Sequence, residues 1–268
     1  MASRDIVGKE QDMTSLLWGE RVNSSGTAGT YLKAVTGVGA RAVYYKLPRY
    51  NGVEFDGHEC VNEVIASRLM DILGVEHLRY RLIHARVAVD GKEHEVWLNS
   101  SKNYRRAREK KLSLGLFVDL NKETSDTPLD VCKRFGWMDA IRRMMLVDYV
   151  VANRDRHASN IEVLIGPDGT PRLAPLFDTG LSLLAPLAGD AEAIDAFDPL
   201  RRVATTNYLG SRSLEENLLN ALPIPGVSKL EEGDRERLLS GLDGAMDART
   251  LDKIWEIVWA RWCYYASL

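Results

Sequence analysis

Cysteine is scarce in this chain: Cys60, Cys132 and Cys263 are the only three, and they stand far apart. An odd, scattered set excludes a disulfide framework and a thiolate metal site, and it fits a reducing compartment, so a cytoplasmic location is expected. Long apolar runs are missing as well, since none approaches the roughly 20 residues of a membrane span. Residues 1–11 are polar and mixed in charge, which does not fit a signal peptide. Neither sign of charge dominates: 35 Lys and Arg against 38 Asp and Glu leave a formal −3, so nothing general favours nucleic acid or a membrane surface. His58, His77, His84 and His94 lack metal-ligand spacing and read as structural or surface residues. Internal repeats and long low-complexity segments are missing too. What is left is an ordinary folded composition, 45% hydrophobic and 27% charged, in a 268-residue chain able to form one domain or two lobes.

The densest chemistry lies in Asn153-Arg154-Asp155-Arg156-His157-Ala158-Ser159-Asn160, with Asp178 closing Leu173-Ala174-Pro175-Leu176-Phe177-Asp178. Alone, Asp155 and Asn160 would do no more than cap or turn a chain. The residues between them and Asp178 change that. Residues 161–165 are a short β-branched, apolar run, Gly166-Pro167-Asp168-Gly169 is dense turn chemistry, and residues 172–177 are a second run. The stretch therefore reads as a hairpin. It returns Asn160, where the first strand starts, to the neighbourhood of Asp178, where the second ends. Two oxygen donors at one end of a hairpin suit Mg²⁺, which completes its shell with phosphate oxygens and water. An Asp and an Asn five positions apart, with a second Asp downstream, form the set with which kinases hold an acceptor hydroxyl and magnesium.

Residues 148–178 resemble the catalytic core of the HipA-like kinases, a bacterial branch related to the phosphoinositide 3- and 4-kinases. That family carries Asn-x-Asp-Arg-His-x-x-Asn followed by Leu-Ala-Pro-x-Tyr/Phe-Asp, and both strings stand here almost letter for letter. The resemblance implies ATP as co-substrate, Asp155 as catalytic base, and Asn160 and Asp178 as Mg²⁺ ligands. His157 is placed on the nucleotide side, holding the loop in shape rather than doing chemistry. The longer HipA toxins have a further N-terminal subdomain, which about 20 residues before the loop cannot supply; it is expected to be absent or separately encoded.

The nucleotide half of such a site needs a phosphate cradle and a fixed cation. Ser24-Ser25-Gly26-Thr27-Ala28-Gly29-Thr30 is small and polar, between strand-like residues 15–22 and 31–36. Small residues let backbone N–H groups approach phosphate oxygens. The loop is neither a Walker A motif nor a Gly-x-Gly-x-x-Gly motif, but it resembles the Ser-Ser-Gly loops of type II phosphoinositide 4-kinases and HipA-like enzymes. Ser24, Ser25, Gly26 and Thr27 are its candidate contacts. Residues 41–48 read as a strand ending in Lys46, a cation for the phosphates. Residues 58–73 carry apolar residues at helical spacing with Gly74 as the stop, and Glu63 beside that stripe is preferred over Glu59 as the lysine's partner. An Asp90-Gly91 turn joins strands at 79–89 and 93–98, and residues 95–99 are the candidate adenine hinge.

The expected architecture is α+β and two-lobed like a protein kinase, with a small β-rich N-lobe over 1–100 and a helical C-lobe over 101–268. The basic run 102–111 reads as a solvated linker between lobes rather than an anion-binding surface. A helix over 132–152 delivers the catalytic loop, and Trp255, Trp259 and Trp262 form a packing stripe on a final helix. Arg201 and Arg202 sit in a loop after Asp178, where a surface role and a phosphate contact are equally open. The leading expectation is a Ser/Thr protein kinase of toxin or effector type, with a protein substrate and an antitoxin as partners. A lipid or small-molecule kinase is the alternative, and a nucleotide-binding pseudokinase the second. HipA-like kinases carry a loop serine whose autophosphorylation switches them off, so Ser24 or Ser25 is expected to be modified likewise.

Overall fold

The computed structural model describes residues 5–19 and 31–268. The proposed phosphate loop, with Ser24, Ser25, Gly26 and Thr27, lies outside the described residues. A five-stranded sheet is ordered β1-β4-β5-β3-β2. Its centre is the hairpin of β4 (Tyr80–Val89) and β5 (Lys92–Lys102). Asp90 and Gly91 turn it at φ 52° and 76°, the positive values that a tight primed turn requires. β3 (Val43–Lys46) runs antiparallel to β5 and to β2 (Lys33–Thr36). On one face Ile83, Ala85 and Val87 meet Leu47, Val96 and Leu98 in a small apolar core. The other face takes α1 (Glu59–Leu73), which Gly74 ends at φ 72° as the sequence predicts.

Residues 15–18 form a turn and a bend rather than the expected strand. Asp12 accepts from the Thr14 backbone N–H and hydroxyl, which closes that turn. The edge strand is instead β1 (Ile6–Asp12), parallel to β4. Its Gly-Lys-Glu-Gln-Asp tail lacks the alternation of a half-buried strand, so the sequence conceals it.

A second sheet, β6 (Lys110–Ser113), β7 (Glu162–Ile165) and β8 (Pro171–Leu173), contains the predicted hairpin, although β8 stops before Pro175. α2 (Leu114–Asn121) follows β6. The helix expected over 132–152 is two: α3 (Pro128–Arg134) and α4 (Met138–Val150). Gly136 at φ 73° breaks them, while Phe135 and Trp137 pack with Phe117. The chain continues through α5 (Ala191–Asp195), α6 (Leu214–Ala221), α7 (Arg235–Leu239) and α8 (Ala248–Ala266). On α8 Trp262 is buried, and Trp255 stacks on Trp259 at the rim of the larger core. The result is a β-rich lobe joined to a helical lobe. No described helix is long and apolar enough to cross a membrane.

Candidate active site

Lys46, the last residue of β3, points at two carboxylates. Its Nζ lies 3.2 Å from Glu63 Oε1 and 2.9 Å from Asp178 Oδ1. Glu59 is engaged elsewhere, accepting from the Tyr31 hydroxyl at 3.2 Å and the Arg49 backbone N–H at 3.1 Å. Burial alone would raise the Asp178 carboxyl, but Lys46 beside it brings it down to about 2. Glu63 is pushed up by burial, with Lys46 opposing, and the two carboxylates hold Lys46 well above its ordinary value against its own burial.

α1 also grips the strand exit that carries Asp178. Glu63 Oε2 accepts from the backbone N–H and hydroxyl of Thr179 at 3.2 and 3.3 Å. Asn62 donates to the carbonyls of Gly180 and Ser182. Asp178 itself sits at φ 56°, a left-handed conformation that costs a non-glycine residue on the order of 1–3 kcal/mol and persists only where the surroundings impose it. Here Tyr80, whose hydroxyl accepts from the Asp178 N–H, joins Lys46 and α1 in doing so.

The loop of residues 153–160 leaves the end of α4, anchored by a fully buried pair. Arg156 donates to Asp148 through Nε at 3.0 Å and Nη2 at 2.9 Å. Its Nη1 donates to the carbonyls of Asn160 and Phe177 at 2.9 and 2.8 Å. One guanidinium thus ties α4, the loop and the residue before Asp178 together. Asp155 is half-buried, with Oδ1 accepting from the Thr206 hydroxyl at 2.9 Å. Asn160 Nδ2 donates to the Asp155 carbonyl at 2.9 Å. His157 Nδ1 accepts from the Ser159 N–H, closing the short turn Ala158–Asn160, and Nε2 lies 3.6 Å from Asp155 Oδ2. His157 therefore shapes the loop.

Asn160 Oδ1 is buried without a hydrogen-bond partner. Such an acceptor costs about 1–3 kcal/mol unless something meets it. A hard oxygen-seeking cation would, and Asp178, ionised well below neutral pH, suits the same role. With two protein oxygens, such an ion depends on phosphate oxygens and water for the rest of its shell.

A cleft between the lobes opens onto Lys46 and Asp178 and is cationic, with Lys33, Lys102, Arg105 and Lys111 in its walls. Of residues 95–99 only Asn99 reaches it. Glu95 and Trp97 share its face but lie farther along β5, against His84. The strand runs on to Lys102, so residues 101–105 supply the wall expected from 95–99. The basic run is likewise more than a solvated linker. The Tyr104 hydroxyl bonds Glu162, Lys111 pairs with Glu162 at 3.4 Å, and Arg172 clasps Glu109 twice at 2.9 Å. Asp148, Arg156, Tyr80, Glu162 and Thr206 escaped the sequence reading. The Arg-Asp-Arg string hints at Arg156, but nothing local marks it as buried.

No family profile matches the chain, and no curated protein does. Among solved structures it is similar to the Helicobacter pylori proinflammatory kinase CtkA, with a TM-score of 0.62 and 14% identity, covering 94% of this chain and 93% of that one. It also aligns with HipA of the Shewanella oneidensis toxin–antitoxin system, in complex with HipB and operator DNA, at a TM-score of 0.41 and 13% identity, over 89% and 62% of the two chains. That second likeness is too slight to build on. The first establishes the fold: a two-lobed, kinase-like chain of the kind that the catalytic-loop motif resembles.

Proposed function

We propose that this chain is an ATP-dependent Ser/Thr protein kinase, with an N-lobe over 1–100 and a C-lobe over 101–268. The observation that carries the reading is the convergence of Lys46, Glu63 and Asp178 beside a loop that presents Asp155 and the unpaired oxygen of Asn160. ATP enters the cationic cleft with its phosphates toward Lys46, which Glu63 and Asp178 hold in place. Ser24, Ser25, Gly26 and Thr27 are assigned to the phosphates from the sequence of their loop alone. Asn160 and Asp178 would hold Mg²⁺, which would supply positive charge to neutralise the phosphates.

Asp155 accepts a hydrogen bond from the acceptor hydroxyl, with Thr206 fixing one carboxylate oxygen. As the acceptor oxygen bonds to the γ-phosphorus, the bond from that phosphorus to the β–γ bridging oxygen breaks and ADP departs. The acceptor proton passes to Asp155. Positioning and charge stabilisation supply most of the rate in such transfer. A protein acceptor is preferred to a lipid because the string at residues 153–160 resembles that of the HipA-like kinases, and the intact charged set argues against a pseudokinase.

The test is transfer of labelled γ-phosphate to casein, phosphoinositide vesicles and cell lysate in parallel. Asp155→Asn is expected to slow transfer on the order of 10² to 10⁴ while Mg-ATP binding stays. Asp178→Asn is expected to lose both. Near wild-type turnover in Asp155→Asn would remove the assigned base. Label confined to lipid would move the acceptor class, and nucleotide binding with no transfer to any arm would favour a pseudokinase. Phosphate on Ser24 or Ser25 in the same reaction would establish autophosphorylation, and co-purification would reveal an antitoxin.

A further inference from the structure

Three arginines crowd together behind the catalytic loop, and among the described residues none has a carboxylate at ion-pair distance. Arg261, on α8, is 1% exposed. Two of its five N–H donors have protein acceptors, the carbonyls of Tyr149 at 3.3 Å and Arg201 at 2.8 Å, and its Nε is buried with no partner at all. Its guanidinium also lies over the Tyr149 ring, 5.0 Å from the centroid. Arg154, the residue before Asp155, bonds only the carbonyls of Ala152 and Leu183. Burial and the charges of Arg261 and Arg201 hold Arg154 down to about 10. Arg201 leans on Phe197.

Charge crowding of this kind costs stability unless an anion relieves it. The carboxylates nearby are too few. Glu215 reaches Arg202 at 3.5 Å and accepts from the Tyr264 hydroxyl at 2.9 Å, and Asp198 is the other acid near Arg261. With Arg154, Arg201, Arg202 and Arg261 set against those two, the corner keeps a surplus of positive charge. It also has a hollow: Arg201, Arg202, Arg261, Tyr264 and Glu215 line a pocket of about 60 Å³, and that one acid is already paired with Arg202. A water needs only about 10–15 Å³, so a tetrahedral oxyanion fits.

We propose that this pocket binds a phosphoryl dianion, either free or carried on a side chain, through Arg201, Arg202 and Arg261. The planar fork of an arginine matches phosphate oxygens in pairs, and Arg261, whose Nε has no partner, has hydrogen-bonding capacity left over. The site is tied to the catalytic loop by backbone. Arg201 and Arg202 lead through Val203 to Thr206, whose N–H donates to the Arg154 carbonyl and whose hydroxyl holds Asp155. This inference does not depend on phosphoryl transfer taking place.

The test is titration of the full chain with inorganic phosphate, a phosphoserine heptapeptide and its unphosphorylated form, and chloride at matched ionic strength. Binding is read by calorimetry and by thermal shift. Phosphate or the phosphopeptide should bind and raise the melting temperature, and chloride should not. The double variant Arg201→Ala with Arg202→Ala touches only surface side chains and should weaken binding at least about tenfold. Arg261→Lys, which keeps the charge but loses the fork, should weaken it as well. If Arg261→Lys fails to fold, the double variant still decides. Tighter binding of the phosphopeptide assigns the anion to a side chain, and tighter binding of inorganic phosphate to a free one. Equal affinity in wild type and double variant would place the phosphate elsewhere, such as the nucleotide cleft, and overturn the proposal. An equal shift from chloride would do the same.

Discussion

Lys46 stands between Glu63, 1% exposed, and the partly buried Asp178, and its positive charge favours the ionised form of both against the burial that opposes it. Removing it exposes the conflict. In the wild type Asp178 lies below its ordinary 3.8, so it contributes stability above that value and gives it up as pH falls toward about 2. In Lys46→Ala the largest lowering influence on both carboxyls is gone, with Lys33 and Arg156 left beside Asp178, so burial, which already raises Glu63, moves both up. Both folded values are then higher than in the wild type, so the variant loses stability relative to the wild type as pH rises through them. At neutral pH the loss should be on the order of 3 kcal/mol. Denaturant melts from about pH 4 to about pH 8 should show the gap to wild type widening; parallel curves would show that Lys46 does not hold these charges. At this scale the sequence was uneven. Asp155, Asn160 and Asp178 were legible because their spacing carries chemistry. Arg156 was not, because an arginine between an aspartate and a histidine looks solvated until Asp148 is found one helical turn and a loop away.

Elements were legible where a local signal stood alone. Helical spacing with a terminal glycine marked α1, and Asp90-Gly91 marked the central hairpin. The break between α3 and α4 was missed because apolar residues continue through Phe135 and Trp137, so the periodicity outlasts the helix. The hairpin carrying Asp178 allows two glycines to be compared. Gly169 turns it at φ 84° with nothing near a would-be Cβ. Gly169→Ala should therefore cost only backbone strain, about 1–2 kcal/mol, and leave transfer unchanged. Gly180 has no such conformation, but a Cβ there would stand 3.1 Å from Glu59 Cβ, 3.2 Å from the Glu59 carbonyl oxygen and 3.4 Å from Glu63 Oε1. Gly180→Ala should push α1 off the Asp178 segment and loosen the clamp on Lys46. Transfer should fall by roughly tenfold or more, since small displacements at reacting groups are costly. Melting temperatures and initial rates on both variants separate the two. A Gly180→Ala variant that transfers phosphate at the wild-type rate would mean that the clamp has slack.

For the whole molecule, α1 decides whether the lobes are independent. Asp71 is its one residue that is not buried, and a helix buried all round needs cover on more than one side. The five-stranded sheet covers one side. The other is met by the distant chain: Asn62 bonds the carbonyls of Gly180 and Ser182, and Arg68, paired with Asp5, donates to those of Leu238 and Ser240. Apolar residues of α1 accordingly share one core with α4 and α8, while the small core under the sheet stands apart. The far-side cover could not be read from the N-terminal sequence, because Gly180, Ser182, Leu238 and Ser240 come more than a hundred residues after α1. A fragment of residues 1–105 contains every strand of the first sheet, yet it leaves α1 uncovered on its far side. Expressed alone, it should lack dispersed amide resonances and a cooperative melt. Co-expressed with residues 106–268, it should be recovered as a folded complex, and the intact chain should melt in a single transition. A fragment that folds alone would mean that the sheet suffices to bury α1, and that the clamp on Asp178 closes only when the lobes meet.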